Sequence, residues 1–298
     1  MTDHTNPPQE KSQSALLRLA AWTAGVLPGW ARDGIYRSGP LARLLRRQLN
    51  RAAPQGLAPV TVAAGLLQDM RLALDMQSEK DYWLGGYEPE LQDALSALVK
   101  PGMTAYDVGA NIGYISLMLA KLTGAGGRVL AFEALPENVE RLRANLALNG
   151  MQERITVVAA AVVEQSEPVS FLIGPSGGMG KAKGSAGRQD VTYAESITVD
   201  GLALDEFVYQ GGSPIPDLVK IDIEGGEVLA LPGMRRLLNE ARPLVLMELH
   251  GPQAAQVAWT ILQEADYRIC RMQPGFPIVA SLAELDWKAY LVALPSGG

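Results

Sequence analysis

The chain has few of the residues that build disulfide frameworks, thiolate metal centres or membrane spans. Its 298 residues include one cysteine, Cys270, which excludes an internal disulfide and a cluster of thiolate ligands and favours a reducing compartment. No run of about 18 to 20 apolar residues occurs, so a spanning helix is not expected. The first 14 residues are polar and lack the basic start of a signal peptide, so the sequence predicts a cytoplasmic protein.

Basic charge and histidine are also scarce. The chain carries 26 Lys and Arg against 32 Asp and Glu, and this net charge of -6 argues against nucleic acid as the main partner. The two histidines are His4, near the N-terminus, and His250. Hydrophobic residues make up 48% of the chain and charged residues 19%, which is typical of a folded globular protein.

Composition divides the chain into three parts. Residues 1–14 are predicted to be a flexible tail, 15–80 a helical N-terminal extension and 81–298 the main domain. Residues 15–51 contain seven arginines and one acid, Asp33, with apolar residues at helical spacing. The preferred interpretation is an accessory helical cap with solvated arginines. The alternative is a basic amphipathic helix that makes weak contact with an anionic membrane surface.

From Pro101 onwards, apolar strands alternate with helices. Strands that are apolar on both faces indicate a parallel sheet buried between helical layers. The sequence therefore predicts an α/β fold with a Rossmann-like, doubly wound, mostly parallel sheet. Strands are expected over 104–108, 128–133, 155–163, 217–222, 243–249, 267–272 and 288–294, and helices over 114–122, 136–149 and 253–265.

A different pattern interrupts the alternation between Val169 and Phe207. Residues 169–173 and 195–199 are predicted to be the strands of an inserted β-hairpin. Between them, residues 174–188 contain six glycines in 15 residues and are predicted to be a loop that cannot pack a core. Because long loops without structure are uncommon in compact domains, a mobile flap near a substrate is favoured over a plain surface linker.

A glycine-containing turn provides the sharpest signal for a nucleotide site. Asp107, Gly109 and Gly113 lie between a predicted strand and a predicted helix, where glycine lets the backbone approach a ligand closely. Glu133 ends the next strand, where a carboxylate can accept both hydroxyls of a ribose. Dinucleotide dehydrogenases use G-x-G-x-x-G, but position 111 here is Asn. The leading acid, Asp107, instead suits the ammonium group of S-adenosylmethionine.

With these motifs the chain resembles the FkbM-type class I S-adenosylmethionine-dependent methyltransferases, over roughly residues 80 to 295. A departure is Ala134, where the family commonly has proline; we expect it to alter loop stiffness and leave the Glu133 carboxylate in place. The residues that carry the resemblance are Tyr87-Glu-Pro-Glu90, Asp107-Val-Gly-Ala-Asn-Ile-Gly-Tyr114, Ala131-Phe-Glu133, Pro136-Glu-Asn138, Asn145-Leu-Ala-Leu-Asn149, Val199-Asp-Gly-Leu-Ala-Leu-Asp205, the segment from Lys220 to Gly233, and Met247-Glu-Leu-His250.

The resemblance implies methyl transfer, usually to a hydroxyl of a sugar or a natural product, with S-adenosylmethionine as cofactor. It also implies that the turn holds the methionine end of the cofactor and that Glu133 binds the ribose. The residues around Ala160 and Ala161 would flank the adenine, and Asp222 would lie beside the sulfonium. The predicted cofactor-binding residues are Asp107, Gly109, Asn111, Gly113, Tyr114, Glu133, Ala134, Ala161 and Asp222.

A sugar hydroxyl is a poor nucleophile at pH 7, so a positioned base is expected. His250 ends a buried strand and Glu248 lies on the same side of the pleat, so His250, Asp222 and Glu248 are the candidate catalytic residues. The opposing interpretation of His250 is a strand-terminating histidine that bonds locally. The acids Asp222, Glu224 and Glu227 could bind a divalent cation, anchor Lys220 or cap backbone donors. No metal is predicted, so a chelator should leave activity intact.

Three other functions remain open from the sequence. A nucleic-acid or protein methyltransferase on the same fold is disfavoured. Methyltransferases that act on the amino group of adenine typically carry Asn/Asp-Pro-Pro-aromatic after the fourth strand, whereas the Asn-Pro-Pro segment here lies at residues 6–8 and lacks the aromatic residue. A non-catalytic S-adenosylmethionine-binding subunit would bind cofactor without turnover. A dehydrogenase is a more distant alternative. The expected partner is a small-molecule or glycan acceptor, and the oligomeric state, a homodimer included, is left open.

Overall fold

The computed structural model describes Ala20, Thr23 and residues 55–174, 179–188, 190–193 and 195–297. The predicted flexible tail 1–14 lies outside these residues, as does the arginine-rich segment 15–51 apart from Ala20 and Thr23. Contacts divide the chain into two compact units, Met1–Tyr87 and Glu88–Gly298, whereas the sequence placed the boundary after residue 80. No helix among the described residues has the length and apolar character needed to cross a bilayer.

The described part of the first unit contains an antiparallel strand pair where a helical extension was predicted. Strands β1 (Leu57–Thr61) and β2 (Arg71–Asp75) pair from Leu57 opposite Asp75 to Thr61 opposite Arg71, and the short helix α1 (Lys80–Trp83) follows. Leu72 and Leu74 are fully buried. The helical prediction is wrong over these strands, because the apolar residues recur at every second position, which is the period of a strand.

The second unit is built on a sheet of seven strands. From one edge to the other, the order is β5, β4, β3, β11, β12, β14 and β13. All neighbours pair in parallel except β14, which lies between β12 and β13 and is antiparallel to both. The predicted α/β, mostly parallel sheet is confirmed. Its strands are β3 (Thr104–Val108), β4 (Arg128–Phe132), β5 (Ile155–Val158), β11 (Leu218–Ile221), β12 (Leu244–His250), β13 (Tyr267–Arg271) and β14 (Lys288–Pro295).

Helices connect these strands and cover the sheet. The four longest helices begin at residues that suit a helix N-terminus. A proline is the first residue of α2, α4 and α8, and a glycine in the left-handed conformation precedes α3. They are α2 (Pro89–Leu98), α3 (Tyr114–Thr123), α4 (Pro136–Leu148), α5 (Leu204–Tyr209), α6 (Glu227–Ala230), α7 (Arg235–Glu240) and α8 (Pro252–Glu264), with 3-10 turns at Leu231–Met234 and Leu282–Glu284.

The third predicted strand is shorter than expected. The sequence favoured one strand over 155–163, but β5 ends at Val158, and Ala160 donates its N–H to the Val158 carbonyl at 3.0 Å. The chain resumes as β6 (Ala161–Val162), which pairs in parallel with β10 (Gly201–Leu202). The sequence does not show this break, because the mostly apolar run from Ile155 to Val163 continues across it.

The inserted hairpin is present and has a third strand. Strands β7 (Val169–Ile173) and β9 (Glu195–Val199) pair antiparallel as predicted, from Val169 opposite Val199. Strand β8 (Gly180–Ala182) adds to the free side of β7, although the segment 174–188 was predicted to be a loop. Gly180 permits this pairing, because a Cβ there would lie 2.4 Å from Cε1 of Phe171.

Candidate functional site

The predicted site residues gather at one edge of the seven-stranded sheet. Strands β3, β4, β11 and β12 run parallel, so their carboxyl ends meet at the same edge, where open α/β sheets bind ligands. This places the turn after β3, Glu133 after β4, Asp222 after β11 and His250 at the end of β12 on one side of the unit.

The turn after β3 requires glycine at two positions. Gly109 has φ 80°, and a Cβ on it would lie 1.9 Å from the carbonyl oxygen of Asp222. Gly113 has φ 89°, and a Cβ there would lie 2.3 Å from Cδ1 of Leu142. Asn111 between them also has a positive φ of 49°, which asparagine tolerates better than most residues. The turn therefore packs tightly against both the end of β11 and helix α4.

Glu133 ties the end of β4 to this turn. Its Oε2 accepts the N–H of Asn111 and its Oε1 accepts the N–H of Leu135, each at 2.8 Å. Burial raises the pKa of Glu133 above its ordinary value, although the hydrogen bonds from the backbone and from Asn138 oppose the change. The carboxylate is thus held in a fixed position beside the turn, and its contact with a ribose stays a prediction.

The remaining predicted cofactor residues follow β3, β4 and β5 in the chain. Tyr114 opens α3 and is buried, and the half-buried Ala134 follows Glu133. Ala161 is buried in β6 and donates its N–H to Asp200 at 2.8 Å. Their contacts with the cofactor stay predictions.

Asp107 is fully buried, and other side chains of the protein pair with both of its oxygens. Its Oδ1 lies 3.1 Å from Nζ of Lys220, and its Oδ2 accepts the hydroxyl hydrogen of Ser116 at 2.6 Å. The Lys220 ammonium also donates to the carbonyl of Gly109 at 3.0 Å. Burial opposes the charge of Lys220, but Asp107 and Asp222 outweigh it and hold its pKa above the ordinary value. The sequence missed Ser116, and the predicted role of Asp107 in binding an ammonium group stays a prediction.

His250 is buried among carboxylates at the end of β12. Its Nε2 lies 2.8 Å from Oε1 of Glu248, and its Nδ1 lies 3.4 Å from Oε1 of Glu227. Oδ1 of Asp222 is 4.0 Å and Oε2 of Glu224 is 3.8 Å from Nε2. The sequence placed Glu227 at the strand-to-helix turn and left a backbone cap as one of its possible roles. Its carboxylate accepts the N–H groups of Ile223 and Gly225 at 3.3 and 3.4 Å and also faces the imidazole.

These neighbours decide the protonation states of the cluster. Burial disfavours the imidazolium, but hydrogen bonds with Glu227 and Glu248 outweigh burial and raise the pKa of His250 to about 10. The sequence predicted His250 as the base. Its raised pKa disfavours this role near neutral pH, because an imidazolium has no lone pair to accept a proton, and the catalytic assignment of His250 stays a prediction.

The pKa values of Asp222 and Glu248 are shifted in opposite directions. Burial, with the charges of Glu248 and Glu88, raises the pKa of Asp222 to about 7, although Lys220 and His250 favour its charged form. Burial also opposes the charge of Glu248, but hydrogen bonds from His250 and Lys288 outweigh it and lower the pKa of that carboxyl. Within the cluster, Asp222 is therefore the carboxylate suited to exchange a proton near neutral pH.

Asp222, Glu248 and His250 also have the chemistry of a metal site. Their ligand atoms all lie within 4.8 Å of one another. Two cations already contact Glu248, however: Nε2 of His250 and Nζ of Lys288 both approach its Oε1. A metal bound there would have to displace the His250 proton and Lys288, and the independence from a metal stays a prediction.

The glycine-rich segment ends against the acidic turn after β11. Ala186 donates its N–H to the carbonyl of Gly225 at 2.9 Å, and a Cβ on Gly225 would lie 2.4 Å from the Ala186 backbone. The buried Lys181 ammonium donates to the carbonyls of Ala186 and Arg188, both at 3.0 Å. This segment was predicted to lie near the substrate, and the contacts place its end beside Glu224.

Trp287 is the functional candidate that sequence reasoning missed. Its side chain is 44% exposed, and its ring meets that of His250 edge to face at a centroid distance of 6.3 Å. Its carbonyl accepts the N–H of Gly251 at 2.6 Å, which fixes the backbone next to His250. A single tryptophan before the last strand belongs to no motif, so no sequence pattern distinguishes it.

The sheet order and the glycine turn define a nucleotide-binding α/β protein. The sequence model of the FkbM methyltransferase domain matches residues 107–269, which is more than half of the chain. The chain belongs to this family, as its motifs indicated, and S-adenosylmethionine is the cofactor that this membership assigns.

The chain is also similar to individual proteins over part of its length. The chain is 29% identical over 160 residues to hexuronic acid methyltransferase AglP of Haloferax volcanii, covering 54% of this chain and 61% of that protein. It is 34% identical over 121 residues to protein-L-isoaspartate O-methyltransferase of Aeropyrum pernix, covering 34% and 46%. A solved FkbM methyltransferase from Methylobacillus flagellatus aligns at 21% identity with a TM-score of 0.42, covering 74% and 56%. The chain therefore spans less than two thirds of the curated relatives' length.

Proposed function

We propose that the protein transfers the methyl group of S-adenosylmethionine to a hydroxyl of a sugar, a glycan or a sugar-like natural product. The observation that carries the proposal is the position of Asp222. Its backbone carbonyl lies against Gly109 of the glycine turn, and its carboxylate, with a pKa of about 7, lies beside His250. The name of the AglP relative supports a sugar acceptor.

The reaction is an in-line displacement. The acceptor oxygen forms a bond to the methyl carbon while the bond from that carbon to sulfur breaks, leaving a neutral thioether. Alignment of the two reactants is the first requirement, and it can contribute about 7 to 11 kcal/mol in favourable cases. The proton of the hydroxyl goes to Asp222, because a base is most effective when its pKa lies near the working pH.

His250 has a positioning role in this proposal. As an imidazolium it donates to Glu248 and Glu227 and keeps both carboxylates in place at the floor of the site. Its positive charge also favours the ionised form of Asp222, the form that can accept a proton. We therefore assign proton acceptance to Asp222 and charge balance to His250.

Trp287 provides a contact surface for the acceptor. An exposed indole beside the reacting groups can stack on the apolar face of a pyranose ring, with its polar edge free for hydrogen bonds. A sugar held there would present its hydroxyls towards the cluster at the end of β12.

The test is transfer of a labelled methyl group. The protein is incubated with S-adenosylmethionine labelled in the methyl group and with a small-molecule and glycan extract, and the labelled product is identified by mass spectrometry. Label in a sugar ether supports the proposal. Label in nucleic acid or protein, or cofactor binding by calorimetry with no transfer to any fraction, would replace it with one of the alternatives.

A further inference from the structure

Lys220 is a buried cation that the proposed reaction does not use. It lies on β11, two residues before Asp222, and its side chain is only 4% exposed. Burying an ammonium group is costly unless the group is paired and hydrogen-bonded. The contacts that Lys220 makes therefore indicate what its charge is for.

The Lys220 ammonium joins an acid to the glycine turn. Its Nζ lies 3.1 Å from Oδ1 of Asp107 and donates to the carbonyl of Gly109 at 3.0 Å. The other oxygen of Asp107 accepts the hydroxyl hydrogen of Ser116 at 2.6 Å. The ion pair therefore links β11 with β3, with the turn and with the first part of α3.

The peptide between Gly109 and Ala110 is held from two sides. Its N–H, on Ala110, donates to the carbonyl of Phe132 at 2.9 Å, and its carbonyl, on Gly109, accepts from Lys220. Gly109 has φ 80° and no Cβ to restrict its backbone, so it could adopt many other conformations. The bonds from β4 and from Lys220 together select one orientation of this peptide.

The end of β11 contacts Gly109 a second time, through the backbone of Asp222. A Cβ on Gly109 would lie 1.9 Å from the carbonyl oxygen of Asp222, so the two backbones are in close contact. Lys220 and Asp222 thus fix the turn relative to the proposed proton acceptor. Methyl transfer depends on the alignment of donor and acceptor, so this relation between the turn and Asp222 matters for the reaction.

We propose that Lys220 is a positioning residue, which holds the glycine turn in the conformation that binds the methionine end of S-adenosylmethionine. This inference rests on the proposed function. Lys220 acts through the carbonyl of Gly109, and Asp107 keeps the ammonium charged and in place. A hydrogen bond from a charged donor is stronger than one between neutral groups, which suits a lysine at this position.

The test compares two ligands by calorimetry. S-adenosylhomocysteine carries the amino-acid end, whereas 5′-methylthioadenosine shares its adenosine and lacks that end. Lys220→Met should weaken S-adenosylhomocysteine about ten- to 100-fold and leave 5′-methylthioadenosine unchanged. Equal losses for both ligands would show that Lys220 only maintains the fold, and unchanged binding of both would show that the turn does not need it. Either result would overturn the inference.

The matched control is Lys80→Met. Lys80 is also buried and donates to a backbone carbonyl, that of Gln77, at 2.9 Å, but it belongs to the first unit. Its replacement should change neither affinity. A selective loss of S-adenosylhomocysteine binding in this variant as well would contradict a specific role for Lys220.

A second comparison avoids the unpaired charge that Lys220→Met leaves on Asp107, because an unpaired buried charge can prevent folding. The double variant Asp107→Asn, Lys220→Met removes both charges, and Asp107→Asn alone keeps the ammonium beside Gly109. The double variant should bind S-adenosylhomocysteine at least about tenfold more weakly than Asp107→Asn, and equal affinities would overturn the inference. These outcomes concern Lys220 alone, whereas failure of the wild type to bind S-adenosylhomocysteine would reject the proposed function itself.

Discussion

At the scale of single residues, the site is governed by how its carboxylates share two lysines and one histidine. Asp107 takes Lys220, Glu248 takes Lys288, and His250 lies between Glu248 and Glu227. Asp222 is the member that burial and neighbouring acids leave with a pKa near neutrality. The chemical roles therefore follow from pairings and cannot be read from residue types alone.

Replacing Asp222 should remove the proton acceptor. Asp222→Asn is expected to lower kcat by about 10²- to 10⁴-fold, the usual contribution of a general base. In the wild type, Asp222 is active when deprotonated, so kcat/KM should rise as the pH increases through about 7, and the variant should lose this rise. Glu264→Gln, at an exposed acid paired with Arg235, serves as the control in the same pH series. A variant with wild-type turnover would show that Asp222 is not the base.

Replacing His250 should destabilise the protein in a pH-dependent way. Its pKa is raised from 6.5 to about 10, so its stabilising charge is fully present below pH 6.5 and is lost as the pH rises through about 10. His250→Gln leaves Glu227 and Glu248 without their shared cation, and loss of one partner of a buried ion pair costs about 3 to 5 kcal/mol. Denaturant unfolding should show this deficit at pH 6.5 and a smaller one at pH 10. A deficit independent of pH would contradict the assigned charge.

At the scale of elements, the strand-to-helix turn after β3 and the loop before β14 shape the site from two sides. The turn is positioned by close backbone contact with the end of β11, and the loop places Trp287 against His250. Both are short segments whose position depends on the strands they connect.

The turn can be tested with a pair of glycine substitutions. Gly109→Ala and Gly150→Ala both put a Cβ on a positive φ, of 80° and 63°, which costs about 1 to 2 kcal/mol. At Gly109 the Cβ would also lie 1.9 Å from a backbone oxygen, whereas nothing lies within 4 Å at Gly150. We expect Gly109→Ala to lower the free energy of unfolding by at least about 2 kcal/mol more than Gly150→Ala and to weaken S-adenosylhomocysteine binding. Equal effects in unfolding and calorimetry would contradict the close contact.

The loop before β14 can be tested through acceptor kinetics. Trp287→Ala should raise the KM for the acceptor about three- to tenfold, the size of an aromatic stacking contribution, and leave S-adenosylhomocysteine binding unchanged. Ile278→Ala, at a side chain that is 63% exposed, provides the control. A change in cofactor affinity with unchanged acceptor KM would assign Trp287 to the cofactor instead.

At the scale of the whole molecule, acidic charge at the sheet edge is balanced by the protein's own cations. Each candidate metal ligand faces a lysine or the imidazolium: Asp222 and Glu248 face His250, and Glu248 also contacts Lys288.

Turnover should therefore be independent of divalent cations. We expect the full-length protein to keep its methyl-transfer rate after exhaustive treatment with a chelator and to gain nothing from added Mg²⁺ or Mn²⁺. Loss of activity with the chelator, restored by one of these ions, would show that Asp222, Glu248 and His250 act as ligands.

The sequence by itself determined which residues reach the sheet edge. Gly109, Glu133, Asp222 and His250 each follow or end an apolar run, and the ends of such runs are local properties that a sequence pattern can locate. The prediction of a helical extension is wrong over β1 and β2, where apolar and polar residues alternate. The prediction of a loop is wrong over β8, because the high glycine content of the segment hides a short edge strand.

Only the tertiary structure decided how these residues are paired. The pairing of Asp107 with Lys220 joins positions 107 and 220, and the charge of His250 depends on Glu227 on a different element. The exposure of Trp287 beside His250 likewise depends on how β14 pairs with β12. Protonation and contact depend on distances of a few ångströms between residues far apart in the chain, and no local sequence pattern encodes those distances.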